Sequence, residues 1–378
     1  MTHKCLQWLD QNSKTSPLMV FDLEKLKKNY LLFKKYFFGI KPYYAVKANP
    51  HEKIINLLNK LGSCFDCASI KEIKICIKNK VNPEKISFGN TIKKGLDIKQ
   101  AFSLGVKIFA VDSELELEKI AKFAPRSKIF FRVQVPNGGA QWPLSNKFGC
   151  TPCLIENLIY LAITKNLKPI GISFHVGSQQ LYKTTWNKAI KISAEIFKKM
   201  EKKGINMELL NIGGGFPSKY NGTSLNIFSY SNFIKKSLSK YYGNKKPKTI
   251  ICEPGRFLVA NAAIIESEVI LISKHKVKDR KKWVYIDVGR YNGLAETEGE
   301  AIHYNITTKG YKKSKKSDYI LAGPSCDSHD IIYKNKQCLL PEELKIGDRL
   351  RIHSTGAYTI SYSSDFNGTR KIKEYFID

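Results

Sequence analysis

Residues 43–49, YYAVKAN, make a short apolar run that closes on a lysine and an asparagine. The same pattern returns in SCFDCAS (63–69), KISFGN (85–90), KIFAVDS (107–113), KIFFRVQV (128–135), GISFHVGS (171–178), LLNIGGG (209–215) and TIICEPGR (249–256). Between these runs lie amphipathic stretches such as LIENLIYLAITKN (154–166) and WNKAIKISAEIFKKMEKKG (186–204). Their apolar residues recur at three- and four-residue steps, the pattern of a helix with one buried face. Eight strands alternating with helices predict a (β/α)8 TIM barrel over residues 26–259. Chemistry in such barrels sits at the C-terminal ends of the strands. Lys47, Asp66, Asn90, Arg132, His175, the glycines at 213–215 and the pair Glu253 and Arg256 all fall at or near those ends.

After Ala260 the texture changes to alternating, β-branched segments: AAIIESEVILISKHKV (262–277), KKWVYIDVG (281–289) and GDRLRIHSTGAYT (347–359). These predict a C-terminal β-sandwich or β-barrel domain. SPLMVFD (16–22) also has strand character but comes too early to be barrel strand one, so residues 1–25 are assigned to the β domain with residues 260–378.

A chain of 378 residues, 43% hydrophobic and 25% charged, can build both domains. The formal net charge is +30, yet the lysines are spread through every segment and only KKSKK (312–316) is a dense basic cluster. Aromatics are not interleaved with the basic residues as a stacking platform requires, so no nucleic-acid partner is expected. The first residues lack a basic stretch followed by an apolar core, and no apolar run nears the ~20 residues of a membrane span. A soluble cytoplasmic protein with no membrane partner is expected. The nine cysteines are expected as reduced thiols. Cys64/Cys67 on a strand and Cys150/Cys153 at a helix start lack a ligand set, so no metal is expected.

A lysine ending an apolar strand can be desolvated, which favours the neutral amine and imine formation with an aldehyde. Glycines 213–215 with Arg256 offer backbone N–H donors and a cation for a phosphate, without the GxGxxG spacing of a dinucleotide fold. YYAVKAN, FDCAS, FHVGSQ, NIGGGFP, CEPGR, GPSCDSHD and GAYT, in this order from about Pro17 to Asn367, resemble the ornithine/diaminopimelate/arginine decarboxylase family. These are fold-type III pyridoxal-phosphate enzymes with an alanine racemase-like barrel, and YIDVGRYNGLAETEGEAI (285–302) with GPSCDSHD is most similar to the bacterial ornithine (lysine/ornithine) decarboxylase branch.

The resemblance implies pyridoxal 5'-phosphate as cofactor, bound covalently by Lys47. It implies that Glu253 faces the pyridine nitrogen, that His175 stacks on the ring, and that Asp66 and Arg132 line the pocket. Ser178, Gly214, Gly215, Gly255, Arg256 and the Tyr358 hydroxyl would surround the phosphate. Cys326, from the second subunit of a homodimer, would protonate the substrate carbon after CO2 leaves. Asp327 would meet the distal amine, with Tyr358 and Glu300 also at the substrate. Glu296 and Glu298 share the acidic cluster AETEGEAI (295–302) with Glu300. A distal cation gains nothing from long-range steering by a protein of net charge +30, so local carboxylates must recognise it.

Three departures stand out: GNTIKK (89–94) where many relatives carry ANPCK, Asn211 where an aspartate is frequent, and FNGT (366–369) where FNGF is common. The activity implied is conversion of L-ornithine to putrescine, in polyamine biosynthesis. Lysine to cadaverine is the nearest alternative, because one methylene is worth only ~1–3 kcal/mol of discrimination. Diaminopimelate or arginine as substrate is less expected; the diaminopimelate relatives usually read CESGD where this chain reads CDSHD. A non-catalytic regulatory homologue is disfavoured by the presence of both Lys47 and Cys326.

Overall fold

The computed structural model describes residues 2–12, 15–142, 147–221, 225–311 and 314–378. Two compact units are present: Tyr30–Pro217 with Asn226–Gly255, and Met1–Asn29 with Ser218–Leu225 and Arg256–Asp378.

In the first unit the eight apolar runs are strands: β1 (Lys41–Ala45), β2 (Cys64–Cys67), β3 (Ile86–Phe88), β4 (Ile108–Val111), β5 (Lys128–Arg132), β6 (Lys168–Ser173), β7 (Leu209–Asn211) and β8 (Thr249–Cys252). They are parallel and close into a barrel, as the sequence pattern predicts, with β8 beside β1 through Ile251 opposite Lys41 and Cys252 opposite Pro42. The intervening helices start where their caps dictate. Ser69 caps Ile70–Lys78 by accepting from the Glu72 N–H, and Thr151 caps Pro152–Thr164, which has a proline in its first turn. Cys150 and Cys153 straddle that second cap, one buried and one exposed, while Cys67 places its Sγ 3.8 Å from that of Cys76.

Tyr43, Ala110, Phe130, Leu209 and Ile251, from five different strands, form one buried cluster. Strand side chains alternate sides, so the residue two places further along points the same way. For Phe130, Leu209 and Ile251 those residues are Arg132, Asn211 and Glu253; for Ala110 it is Asp112. An apolar layer is thus followed, toward the strands' C-terminal ends, by a polar one.

The second unit carries an eight-stranded sheet. Ile306–Thr308, Arg349–His353, Ala263–Ser273, Trp283–Ile286, Ile320–Ala322 and Ile331–Tyr333 lie side by side in that order. The N-terminal strand Leu18–Asp22 pairs antiparallel with Ala263–Ser273 and parallel with Lys373–Ile377, so SPLMVFD joins this sheet as expected. A helix that the sequence pattern did not announce, His3–Asn12, buries Cys5 and Leu9 against Leu18, Val20 and Ile264. Of the basic cluster at 312–316, Lys312 and Lys313 lie outside the described residues. Among the described residues no helix is long and apolar enough to cross a membrane.

Barrel closure makes one glycine obligatory. A Cβ on Gly171 would lie 1.8 Å from the carbonyl oxygen of Leu209, its partner across β6 and β7. Backbone on the neighbouring strand cannot yield as a side chain can, so Gly171→Ala is expected to cost about 3 kcal/mol or more. The urea midpoint should fall accordingly, and an unchanged midpoint would contradict this account.

Candidate active site

Strand β1 ends at Ala45, and Lys47 sits in the 3-10 turn Val46–Ala48, which is closed by the Asn49 N–H on the Val46 carbonyl. The Ala45 N–H donates to Pro254 O at 3.2 Å and ties this turn to the segment that follows β8. Lys47 Nζ lies 3.7 Å from Asp66 Oδ2, and its side chain keeps 39% of its surface against 3% for Asp66. The desolvation expected for Lys47 is therefore partial, and a fixed carboxylate stands close to its nitrogen. Asp66 is held in turn by Ser87 Oγ, which donates to Oδ1 at 3.0 Å, and by Gly89, where a Cβ would lie 1.9 Å from Oδ1.

Glu253 follows β8. Its Oε1 accepts from Asn211 Nδ2 at 2.5 Å, Asn211 Oδ1 accepts from Gly213 N–H at 2.9 Å, and Glu253 N–H donates to Gly213 O at 2.8 Å. An amide can donate to one partner while accepting from the other, which an ionised aspartate at 211 could not do. Burial pushes the Glu253 carboxyl up to about 7, with the Asp66 charge acting the same way and Lys47, Asn211 and Arg132 opposing. Gly213 and Gly215 have φ of +66° and +91°, a region that favours glycine. A Cβ on Gly214 would come within 2.6 Å of Glu253 O and 3.0 Å of His175 Nε2. The run is glycine because backbone and ring approach it closely.

His175 Nδ1 accepts from the Gly177 N–H at 3.0 Å, so the ring's proton belongs on Nε2. Burial, aided by the charges of Arg132 and Lys47, holds His175 well below the ordinary histidine range, which keeps the ring neutral. The Arg132 guanidinium lies over the Phe148 ring at 4.7 Å. Ser178 opens the short strand Ser178–Gln180, paired with Ala140–Trp142, and Gly255 is buried at the end of this unit.

Glu72 was missed in the sequence. Its Oε2 accepts from the Ala68 N–H at 2.7 Å, and burial, ahead of any charge, raises its carboxyl to about 7, with Lys47 and Asp66 close enough to act on it. The available signal was the capping spacing from Ser69 to Glu72.

The remaining residues lie in the β unit. Arg256 makes a bidentate pair with Glu296, at 2.6 Å to each oxygen, bonds the Tyr220 hydroxyl at 3.0 Å and lies 4.7 Å from the centre of the Tyr358 ring. Burial is the largest single influence and disfavours its charge, but Glu296, Tyr220 and Tyr358 together outweigh it and keep the arginine ionised. The cation expected at this position thus carries its own carboxylate. Tyr358 has a φ of +55°. Glu300, also left-handed at +54°, accepts from the backbone N–H groups of Lys334, Asn335 and Lys336 at 2.8, 2.7 and 2.5 Å. Both its oxygens accept from that turn. Glu298 pairs with Arg290 at 2.7 Å.

Cys326 is exposed, and its N–H donates to Asn367 Oδ1 at 3.0 Å. Asp327 accepts from the Tyr291 hydroxyl at 2.9 Å and from the His329 N–H at 2.8 Å; that N–H, followed by the tyrosine, holds its carboxyl below the usual range. Asp330 fixes this loop by accepting from Arg290 and Ser325 N–H at 2.7 and 3.0 Å. A Cβ on either Gly289 or Gly323 would come within 2.4 Å of its carboxylate.

Residues 23–260 match the pyridoxal-binding domain of the pyridoxal-dependent decarboxylases. The chain belongs to this family. It is 30% identical over 355 residues to the lysine/ornithine decarboxylase of Selenomonas ruminantium, covering 93% of this chain and 87% of that one. It is 32% identical over 373 residues to the ornithine decarboxylase of Rattus norvegicus, covering 95% and 80%. The crystal structure of the arginine decarboxylase of Paramecium bursaria Chlorella virus superposes with a TM-score of 0.90 at 30% identity, covering 100% of both chains. The decarboxylase is thus a fold-type III enzyme, its cofactor is pyridoxal phosphate, and its chemistry is the decarboxylation of a basic amino acid. The barrel mouth fits that cofactor: an amine beside a fixed carboxylate, a glycine cradle that side chains would fill, a neutral imidazole and an enclosed glutamate.

Glu253 also gives a sign for stability against pH. Its folded value near 7 exceeds the ordinary carboxyl value of 4.5, so the folded state binds the extra proton and stability falls as pH rises through that window. In Glu253→Gln that loss disappears. Without added cofactor, the variant should gain about 1 kcal/mol or more relative to the parent between pH 5 and pH 8, read as the difference in thermal midpoints. Parallel curves would refute it.

Proposed function

We propose that the decarboxylase converts L-ornithine to putrescine and CO2, as a homodimer in which each barrel receives Cys326 and Asp327 from the partner copy. One observation carries the reading: an exposed thiol stands next to a carboxylate already oriented by Tyr291 and His329, a proton donor beside a seat for a distal ammonium. With both Glu300 oxygens occupied by backbone donors, Asp327 is the better candidate for that ammonium.

Pyridoxal phosphate, when bound, supplies an aldehyde for an amine and a conjugated ring that takes up the electron pair left by the departing carboxylate. The residues around it have distinct tasks. Lys47 offers the amine, and Asp66 keeps that nitrogen in place. Glu253, raised to about 7, holds a proton that a pyridine nitrogen can share, and Asn211 fixes the carboxyl's orientation. His175 presents a neutral ring face beside Gly214, and Arg132 adds positive charge to the same mouth. Ser178, Gly214, Gly215, Gly255, Arg256 and Tyr358 are assigned to the phosphate. Because Glu296 already neutralises Arg256, backbone N–H groups are expected to carry much of that binding. Cys326 delivers a proton from Sγ to the substrate carbon.

Release of labelled CO2 from ornithine, lysine, arginine and diaminopimelate tests the substrate. Ornithine is expected to give the highest kcat/KM, with lysine ~10–200-fold lower; a higher value for lysine or arginine would reject ornithine. Lys47→Ala should lose turnover and the visible absorbance of bound cofactor. Cys326→Ala should slow decarboxylation and divert cofactor to its amine form. Because a shared site needs one residue from each copy, mixing these two impaired proteins should raise activity to about a quarter of the parental value, whereas no gain over the separate proteins would refute the shared dimer.

A further inference from the structure

The segment that follows β3, where GNTIKK replaces a commoner family sequence, holds a fully buried lysine outside the residues discussed so far. Lys93 Nζ donates to the carbonyls of Asn90 and Ala110, both at 2.7 Å, and pairs with Glu116 Oε1 at 2.9 Å. Glu116 Oε2 pairs with Lys119 at 2.6 Å, and Lys119 Nζ bonds the Lys93 carbonyl at 2.5 Å. A buried cation with this many partners is costly to assemble and is weak evidence for stability alone. Its location gives it a second meaning. Ala110 belongs to β4 and Asn90 to the exit of β3, so one ammonium binds two neighbouring strand ends together on the face that carries the chemistry.

The next links lead to the site. Asn90 Nδ2 donates to Ala68 O at 3.2 Å, and Gly89 N–H donates to Cys67 O at 2.9 Å. Both fasten the β3 exit to the end of β2, where Asp66 sits. Gly89 is the wall behind the Asp66 carboxylate, with room for no Cβ between them. Asp66 is the carboxylate 3.7 Å from Lys47 Nζ.

We propose that Lys93 is a positioning residue: by pinning the β3 exit it keeps Gly89 against Asp66, and so keeps the Asp66 charge at the Lys47 nitrogen. The proposal rests on the reading of Lys47 as the cofactor-binding amine. Asp66, Glu72 and Glu253 are the carboxyls around that amine, with Arg132 and His175 on the same mouth; Glu116, Lys119 and Asp112 surround Lys93 itself.

The test is a pH titration of the visible absorbance of the full-length enzyme loaded with pyridoxal phosphate, together with cofactor affinity and thermal melting. A negative charge beside a nitrogen favours its protonated form. In Lys93→Met the Asp66 charge is released, and the midpoint of the visible band should fall by about 0.5 pH unit or more, toward the value of Asp66→Asn. Cofactor affinity should weaken by about tenfold, and Lys93→Arg, which keeps a cationic donor on the segment, should recover part of both. A purely structural lysine would lower the melting temperature and leave the midpoint alone. A folded Lys93→Met with the parental midpoint and affinity overturns the proposal, as does a Lys93→Arg no closer to the parent than Lys93→Met. Should Lys93→Met fail to melt cooperatively, Glu116→Gln decides: a smaller shift of the same sign supports the proposal, and an unchanged midpoint overturns it. Failure of the underlying reading is separate, because Lys47→Ala would then keep the visible band.

Discussion

Closure of eight parallel strands is the constraint on which the site depends. Once the barrel is closed, alternate side chains must point to the axis, and packing of Tyr43, Ala110, Phe130, Leu209 and Ile251 leaves no freedom in which ones do. Arg132, Asn211 and Glu253 then follow onto the same side, two residues later on three strands. The functional layer is in this sense a product of the hydrophobic one. Slipping one strand by a residue would turn its inward polar group out of the mouth.

A layer with this much charge in a small volume has to be balanced locally. Asp66 faces Lys47, Glu253 is tied to Asn211, and His175 is kept neutral by burial and by the cations beside it. None of these groups is adjusted by one neighbour alone. The rise of the Glu253 carboxyl has burial as its main cause and Asp66 as a second, while the same Asp66 is the partner of the amine. In the β unit, the bidentate Glu296 and Arg256 pair solves the same problem by complete mutual neutralisation.

How much of this was legible follows from the range of each interaction. The eight strands, the strand at Leu18–Asp22 and the strand-end positions of Lys47, Asp66, Arg132, His175 and Glu253 could be read because strand periodicity and turn residues are local signals. Helix His3–Asn12 carries Cys5, Trp8 and Leu9 at three- and four-residue spacing, but a single such set spans little more than one turn and does not stand out as a helix in the sequence. The partners of Arg256 and Glu300 were not legible either. They come from 40 and from 34–36 residues away, and nothing in a sequence encodes that register. The resemblance implies a Glu300 at the substrate, and the sequence gives no sign that three backbone N–H groups of residues 334–336 hold its carboxylate. Asn211 was noticed as a departure, and its amide's double role became evident only with Glu253 and Gly213 in place.

Asp330 carries a consequence for redesign. One carboxylate serves as the common floor for the backbone at Arg290 and at Ser325, and it leaves no room for a side chain at Gly289 or Gly323. The two loops that bear Tyr291 and Cys326 are therefore a single mechanical module, although more than thirty residues of chain separate them. A library aimed at new substrates can vary Pro324 and Ser328 with the Gly289, Gly323 and Asp330 triad left intact, whereas any change at Asp327 also removes the partner of Tyr291 and of the His329 N–H. Transplanting the Tyr291 loop alone into another scaffold would leave it without the carboxylate on which it rests.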